Sequence, residues 1–184
     1  MNIILLGDSI RMGYQLLVTE LLRDSATIWC PAENCEDSRK TRTKLPEWLS
    51  GHDPDLIHFN CGLHDLKLLD GTYQVPIDQY VANLSSIVET MRSLTRARLI
   101  WATITPVDDP RHRNRGVPFT RVNADVIRYN DAALKRMHEL SIEINDLYRL
   151  LMSHDAAGLG PDGIHMNPQG NRDLAQAVAS LLKT

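Results

Sequence analysis

The stretch Ile3-Ile4-Leu5-Leu6-Gly7-Asp8-Ser9-Ile10-Arg11-Met12-Gly13 decides the fold. Its four apolar residues, two of them β-branched, suit a strand buried on both faces of a parallel sheet. Gly7 turns the chain, Asp8 and Ser9 stand where a helix should begin, and Met12, Leu16, Leu17, Leu21 and Leu22 recur at helical spacing as its apolar stripe. A serine between a strand end and a helix N-terminus lies in a partly positive field, beside N–H groups without partners. Such a place can stabilise an alkoxide or an oxyanion. The same residues also have an ordinary reading, because Ser or Asp caps helices in any protein.

Outward from this stretch, strands and helices alternate. The first helix is expected to run to about Arg23, and Ala26–Cys30 reads as a second strand stopped by Pro31. A polar loop through Ser38 leads into a helix carrying Arg39, Leu45, Trp48 and Leu49. After the Asp53-Pro54-Asp55 turn comes a third strand, Leu56–Cys61, closed by Gly62-Leu63-His64-Asp65. Residues 73–76 form an irregular approach to a helix with Tyr80, Leu84, Ile87, Val88 and Met91 at helical spacing. Arg98–Ile104 is the fourth strand, followed by a polar excursion over 107–118, a helix over about 122–140 and a short fifth strand over 141–145. A Gly-rich loop over 154–167 then meets a last helix opened by Pro168. This alternation predicts one α/β domain over residues 1–184, with a five-stranded parallel sheet covered by helices on both faces. In such sheets, ligands bind outside the carboxyl ends of the strands, where Gly7-Asp8-Ser9, the Asn34–Ser38 loop, Gly62–Asp65 and Thr105-Pro106 would gather.

The chain of 184 residues is 43% hydrophobic and 23% charged, as in ordinary globular proteins, and its net charge of −3 speaks against a nucleic-acid-binding role. Met1-Asn2 leaves no basic leader before the first strand, and no apolar run approaches the length that spans a bilayer, so the expected location is cytoplasmic, with no membrane partner. Cys30, Cys35 and Cys61 lack CxxC spacing and read as reduced thiols. His52, His58, His112, His138 and His154 show no metal-ligand spacing, so no metal or other cofactor is expected. Trp29, Trp48 and Trp101 fall in or near core elements.

The chemistry comes from pairing the two ends of the chain. In Gly160-Pro161-Asp162-Gly163-Ile164-His165, an Asp three residues before a His can accept the imidazole N–H, fixing its tautomer and supporting the charge it gains as a base. If His165 reaches Ser9 across the sheet edge, the set is nucleophile, base and orienter.

Together, Gly7-Asp8-Ser9, Gly62-Leu63-His64-Asp65 and Asp162-Gly163-Ile164-His165 resemble the blocks of the SGNH hydrolases, the GDSL esterase family, in order and spacing over nearly the whole chain. The resemblance implies a flavodoxin-like three-layer α/β/α sandwich and serine-based ester hydrolysis or acyl transfer. By position, Ser9 would be the nucleophile, His165 the base and then acid, and Asp162 the orienting carboxylate. Two positions depart from the pattern. Glu36 stands where the family offers a glycine N–H to the oxyanion, and His64 where it offers an Asn amide. The expected oxyanion hole is therefore the N–H groups of Ser9 and Glu36 with the imidazole of His64. In the alternative, His64 is structural and Asn60 or water takes its place. Asp8, Gly62 and Asp65 are expected to support these loops.

The reading that follows is a serine esterase removing a small, acetyl-like group from a carbohydrate or another polar metabolite through an acyl-enzyme on Ser9. The arginine-rich 108–118 excursion reads first as a solvated loop, and contact with hydroxyls or a carboxylate of that substrate is its other reading. An acyltransferase on the same scaffold is one alternative. A binding module that has lost catalysis is another, with the intact Ser9, Asp162 and His165 against it. A flavin or nucleotide binder lacks a phosphate loop, since GxGxxG and GxxxxGK[ST] are both missing.

Overall fold

The computed structural model describes residues 1–183. The chain runs through β1 (Asn2–Leu6), α1 (Ser9–Leu22), β2 (Thr27–Trp29), α2 (Ser38–Leu49), β3 (Leu56–Phe59), β4 (Leu68–Leu69), β5 (Thr72–Tyr73), α3 (Ile77–Leu94), β6 (Arg98–Ala102), α4 (Asp109–Arg113), α5 (Asn123–Glu139), β7 (Glu143–Asn145), α6 (Leu147–Met152) and α7 (Pro168–Leu182). Five strands form one sheet in the order β2-β1-β3-β6-β7, and every neighbouring pair is parallel. Ile3 to Leu6 and all of β3 are buried, as strands covered on both faces must be. Helices α1 and α7 pack together, while α2 packs on α3 and α3 on α5.

The winding places the site. From β1 the chain moves outward to β2, returns past β1 to β3, and then winds the other way through β6 and β7. Loops leaving β1 and β3 therefore diverge at their carboxyl ends and leave a crevice there. Their strands are in register, with Leu6 opposite Phe59 and the Asn60 N–H donating to Leu6 O at 3.1 Å. Gly7-Asp8-Ser9 and Asn60–Asp65 consequently emerge side by side.

Helix α1 buries a different face from the one its leucines predict. Ile10, Arg11, Tyr14, Val18 and Leu22 point inward, while Met12, Leu16, Leu17 and Leu21 are exposed, Leu16 to 75%. The reason lies in Arg11, which is fully buried and donates to Gly7 O at 3.2 and 3.3 Å, Pro31 O at 3.1 Å and Glu33 O at 2.8 Å. Those three carbonyls belong to the turn after β1 and the loop after β2, so the helix must turn its arginine toward them. Buried carbonyls without donors are costly, and satisfying them outweighs burying two or three more leucines.

Smaller elements also differ from the sequence reading. Residues 68–73 form an antiparallel hairpin, β4–β5, with Asp70 (φ +50°) and Gly71 (φ +76°) at its turn. Asp-Gly between such strands is a type I′ signature, so the signal was present. Helices α4 and α6, outside the elements read from periodicity, are short and begin at Asp108 and Asp146, whose carboxylates accept the N–H of Arg111 and Arg149. The fourth strand stops at Ala102 because Ile104 exchanges both backbone bonds with the Asn130 side chain, at 2.8 and 2.9 Å, instead of with a strand.

Gly62 is the position where backbone and packing both leave no choice. Its φ is +134°, and an added Cβ would lie 2.3 Å from Ile104 Cδ1 and 2.9 Å from the Tyr80 hydroxyl. Gly62→Ala should therefore lower stability by about 2–4 kcal/mol, read as a shift of the urea midpoint at unchanged slope.

Candidate active site

Asp8 is the N-cap of α1: its Oδ1 accepts the Ile10 N–H at 2.9 Å, and its side chain is fully buried. Burial raises its pKa, against the Ile10 hydrogen bond and the nearby Arg121, His165 and Arg11, which lower it. Capping thus falls to Asp8 and leaves the neighbouring Ser9 side chain available. Ser9 is the first residue of α1, so its own N–H has no intrahelical acceptor.

Ser9 Oγ lies 2.8 Å from His165 Nε2, and His165 Nδ1 lies 2.6 Å from Asp162 Oδ2. The other Asp162 oxygen accepts the backbone N–H of Ile164 at 3.0 Å and of His165 at 2.9 Å. Burial alone would raise the Asp162 pKa, but the bond from the His165 ring and these backbone donors outweigh it and hold the carboxyl down at about 2. It is therefore ionised across the working pH range and accepts from Nδ1, which leaves Nε2 to face the serine as an acceptor. Gly163 makes the turn between them with φ +71°, where an added Cβ would meet Asp108 O at 2.6 Å. Its carbonyl accepts the Asp108 N–H at 2.9 Å, and Arg111 Nη1 reaches Leu159 O and Gly160 O at 3.4 Å. The arginine-bearing excursion thus braces the histidine loop: Arg111 is bound to that loop's carbonyls, and Arg115 approaches Asp162 at 3.8 Å.

The loop before α2 is stitched to the same edge. Cys35 N–H donates to Gly7 O at 3.1 Å, and the Gly7 N–H points to Cys35 Sγ at 3.4 Å. Glu36 has φ +53°, a left-handed conformation that a glycine would adopt at lower cost. Its N–H is occupied by Asn34 Oδ1 at 2.8 Å. Asp65 joins this loop to the one after β3, accepting the Ser38 N–H at 3.0 and 3.1 Å and also the Ser38 hydroxyl. Asn60 is buried beneath Gly7, and its Oδ1 has no hydrogen-bond partner among the described residues.

His64 is half-buried at the start of this loop's turn. Burial, followed by the positive charges of Lys67 and Arg121, pushes its pKa down to about 4, so the ring is neutral at pH 7. Lys67 Nζ lies 3.1 Å from His64 Nδ1, and Nε2 has no hydrogen-bond partner among the described residues. Neither Lys67 nor Arg121 stood out in the sequence. Arg121 is buried, donates to Leu63 O at 2.6 Å and lies 5.0 Å from the Phe119 ring centre. The antiparallel pairing of Leu68 with Thr120 brings that segment to the His64 loop.

A serine, a base aimed by a carboxylate, and N–H donors at a helix N-terminus are the parts that acyl transfer needs. Residues 5–172 match the model of the GDSL-like lipase/acylhydrolase family. The chain belongs to this family. It is 26% identical to the mouse (Mus musculus) isoamyl acetate-hydrolyzing esterase 1 homolog over 98% of this chain and 81% of that protein. Among solved structures it resembles a lipase/acylhydrolase from Enterococcus faecalis (TM-score 0.84, 18% identity, 99% of this chain and 95% of that one). An acetyl xylan esterase is similar as well (TM-score 0.80, 17% identity, 99% and 100% covered). These likenesses establish the sandwich fold, and the family makes the protein a carboxylic ester hydrolase. No described helix is long and apolar enough to cross a membrane.

The Asp65 bridge makes the stability of this GDSL-like domain depend on pH. Burial, opposed by the Ser38 hydrogen bonds, pushes the Asp65 carboxyl up to about 7 from 3.8. The folded state therefore holds a proton that the unfolded chain has released, and stability falls as pH rises through that window. The stability advantage of wild type over Asp65→Asn should shrink between about pH 4 and about pH 7, measured as the difference in thermal midpoints.

Proposed function

We propose that this hydrolase removes a small acyl group, acetyl in the first instance, from an alcohol of a carbohydrate or other polar metabolite, with Ser9 as nucleophile. The observation that carries the reading is the relay from Ser9 Oγ through the His165 ring to Asp162, with bonds of 2.8 and 2.6 Å. Ser9 Oγ attacks the acyl carbon while its proton passes to His165 Nε2, and Asp162 supports the imidazolium. The tetrahedral oxyanion is held by the Ser9 N–H and by His64 Nε2–H. Glu36 N–H adds a third donor once the Asn34 side chain lets it go. Collapse expels the alcohol, which takes the proton from His165 and leaves an ester on Ser9. Water then attacks that ester, giving its proton to His165, and the acid departs as Ser9 is reprotonated.

Two observations support the short acyl chain. The His165 side chain is 46% exposed, so the reacting groups sit in an open crevice and not at the foot of an apolar tunnel. The relatives' names agree on the acyl group, acetate in one and acetyl in the other, while their alcohols differ widely. The three free thiols support action in a reducing compartment, the cytoplasm.

Hydrolysis of p-nitrophenyl acetate should exceed that of the octanoate in kcat/KM. Ser9→Ala should lose more than about a thousandfold in kcat and escape labelling by a fluorophosphonate that modifies Ser9 in wild type. His64→Ala should lower kcat by about a hundredfold, the usual effect of deleting one oxyanion donor. An unlabelled Ser9 in folded wild type would defeat the nucleophile assignment. A kcat within a few-fold of wild type in His64→Ala would defeat the donor assignment.

A further inference from the structure

An imidazole can replace an amide as oxyanion donor only if the nitrogen facing the substrate carries the proton, and a neutral histidine has two tautomers to choose from. An Asn side chain has no such choice. This chain therefore needs something that the family pattern does not require.

We propose that Lys67 is a positioning residue that selects the His64 tautomer: its ammonium donates to Nδ1, so the ring proton resides on Nε2, the nitrogen that would meet the oxyanion. This role rests on His64 acting as a donor. An ammonium has three N–H donors and no acceptor, so at 3.1 Å the His64 Nδ1 must be the acceptor. A neutral ring with Nδ1 accepting has its proton on Nε2. The same contact draws electron density toward Nδ1 and makes Nε2–H a stronger donor.

The surroundings keep the lysine at this task. Lys67 immediately precedes the hairpin, and the Gln74 N–H donates to its carbonyl at 2.8 Å. Its backbone N–H closes a turn on His64 O at 3.3 Å. Leu68 and Thr120 exchange two backbone bonds of 2.9 Å, which set Phe119 beneath the ammonium, with Nζ 5.1 Å from the ring centre. Among the described residues the Lys67 ammonium has His64 as its sole hydrogen-bond partner, so no carboxylate competes for the donor. Four charged groups act on the His64 ring: Lys67 and Arg121 favour its neutral form, and Glu36 and Asp37 oppose them less strongly. The neutral ring that tautomer selection requires is thus the state this environment supports.

The test combines Lys67→Met, which keeps the stem on Phe119, and Lys67→Arg, which keeps a donor, with His64→Asn, which restores an amide without tautomers. Thermal midpoints first establish that each variant is folded. With an acetyl ester, Lys67→Met should lower kcat about tenfold, less than full loss of the donor, with KM changed less than about twofold, and Lys67→Arg should recover most of the loss. In the His64→Asn background, Lys67→Met should change kcat by less than about twofold. Nitrogen-15 NMR of labelled histidine should show His64 protonated at Nε2 in wild type and a changed Nδ1 resonance in Lys67→Met. That spectrum decides the matter even if His64→Asn is inactive. A wild-type proton on Nδ1, or an equal kcat loss in the wild-type and His64→Asn backgrounds, would overturn the role of Lys67 while leaving His64 as a donor. A His64→Ala variant with unchanged kcat would instead remove the donor reading, and the Lys67 role with it.

Discussion

The bond between Ser9 and His165 joins groups 156 residues apart, and most of the molecule can be understood as what holds them at 2.8 Å. The serine is fixed by the first strand, which is buried on both faces, and by the helix that Asp8 caps. The histidine hangs on a loop whose shape comes from Asp162, Gly163 and the brace of Asp108 and Arg111. Neither half is held by apolar contact alone. Both end in short polar bonds that tolerate little displacement, since a hydrogen bond weakens quickly beyond about 3.2 Å.

Beneath the site lies a second set of polar ties, and these join the three loops to one another. Arg11 gathers carbonyls from the turn after β1 and the loop after β2. Asp65 reaches from the loop after β3 to the first N–H of α2, and Asn83 of α3 donates to the same Ser38 hydroxyl at 2.8 Å. Buried charged and polar groups of this kind do not by themselves add much stability, because desolvation offsets their attraction. Their value here is directional. Each one specifies which loop stands beside which, so the crevice keeps one geometry.

The two departures from the family pattern have different physical consequences. At position 36 the backbone takes the left-handed conformation that a glycine would adopt with ease, so Glu36 carries strain there. At position 64 the resemblance implies an amide with fixed donors, and this chain has a ring whose donor nitrogen depends on its environment. The positive charges nearby, Lys67 and Arg121, then become part of how that ring behaves.

The sequence alone determined the α/β class, the five strands and the residues that now form the relay, because these are written in local periodicity and in short motifs at three points of the chain. It also identified Asp65 as a support, through its place in the motif after the third strand. The choice of buried face on α1 was beyond it: two apolar stripes compete at helical spacing, and the carbonyls that Arg11 must satisfy decide between them. The β4–β5 turn was legible as Asp70-Gly71, yet strands of two residues give too little alternation to be seen. Lys67 and Arg121 acquire meaning only when Leu68 pairs with Thr120, a contact that no local pattern encodes. Tertiary structure likewise decided that the arginine-bearing excursion braces the histidine loop. Hydrogen bonds depend on the relative placement of distant segments to within a few tenths of an ångström, and that placement is set by the packing of the whole sandwich.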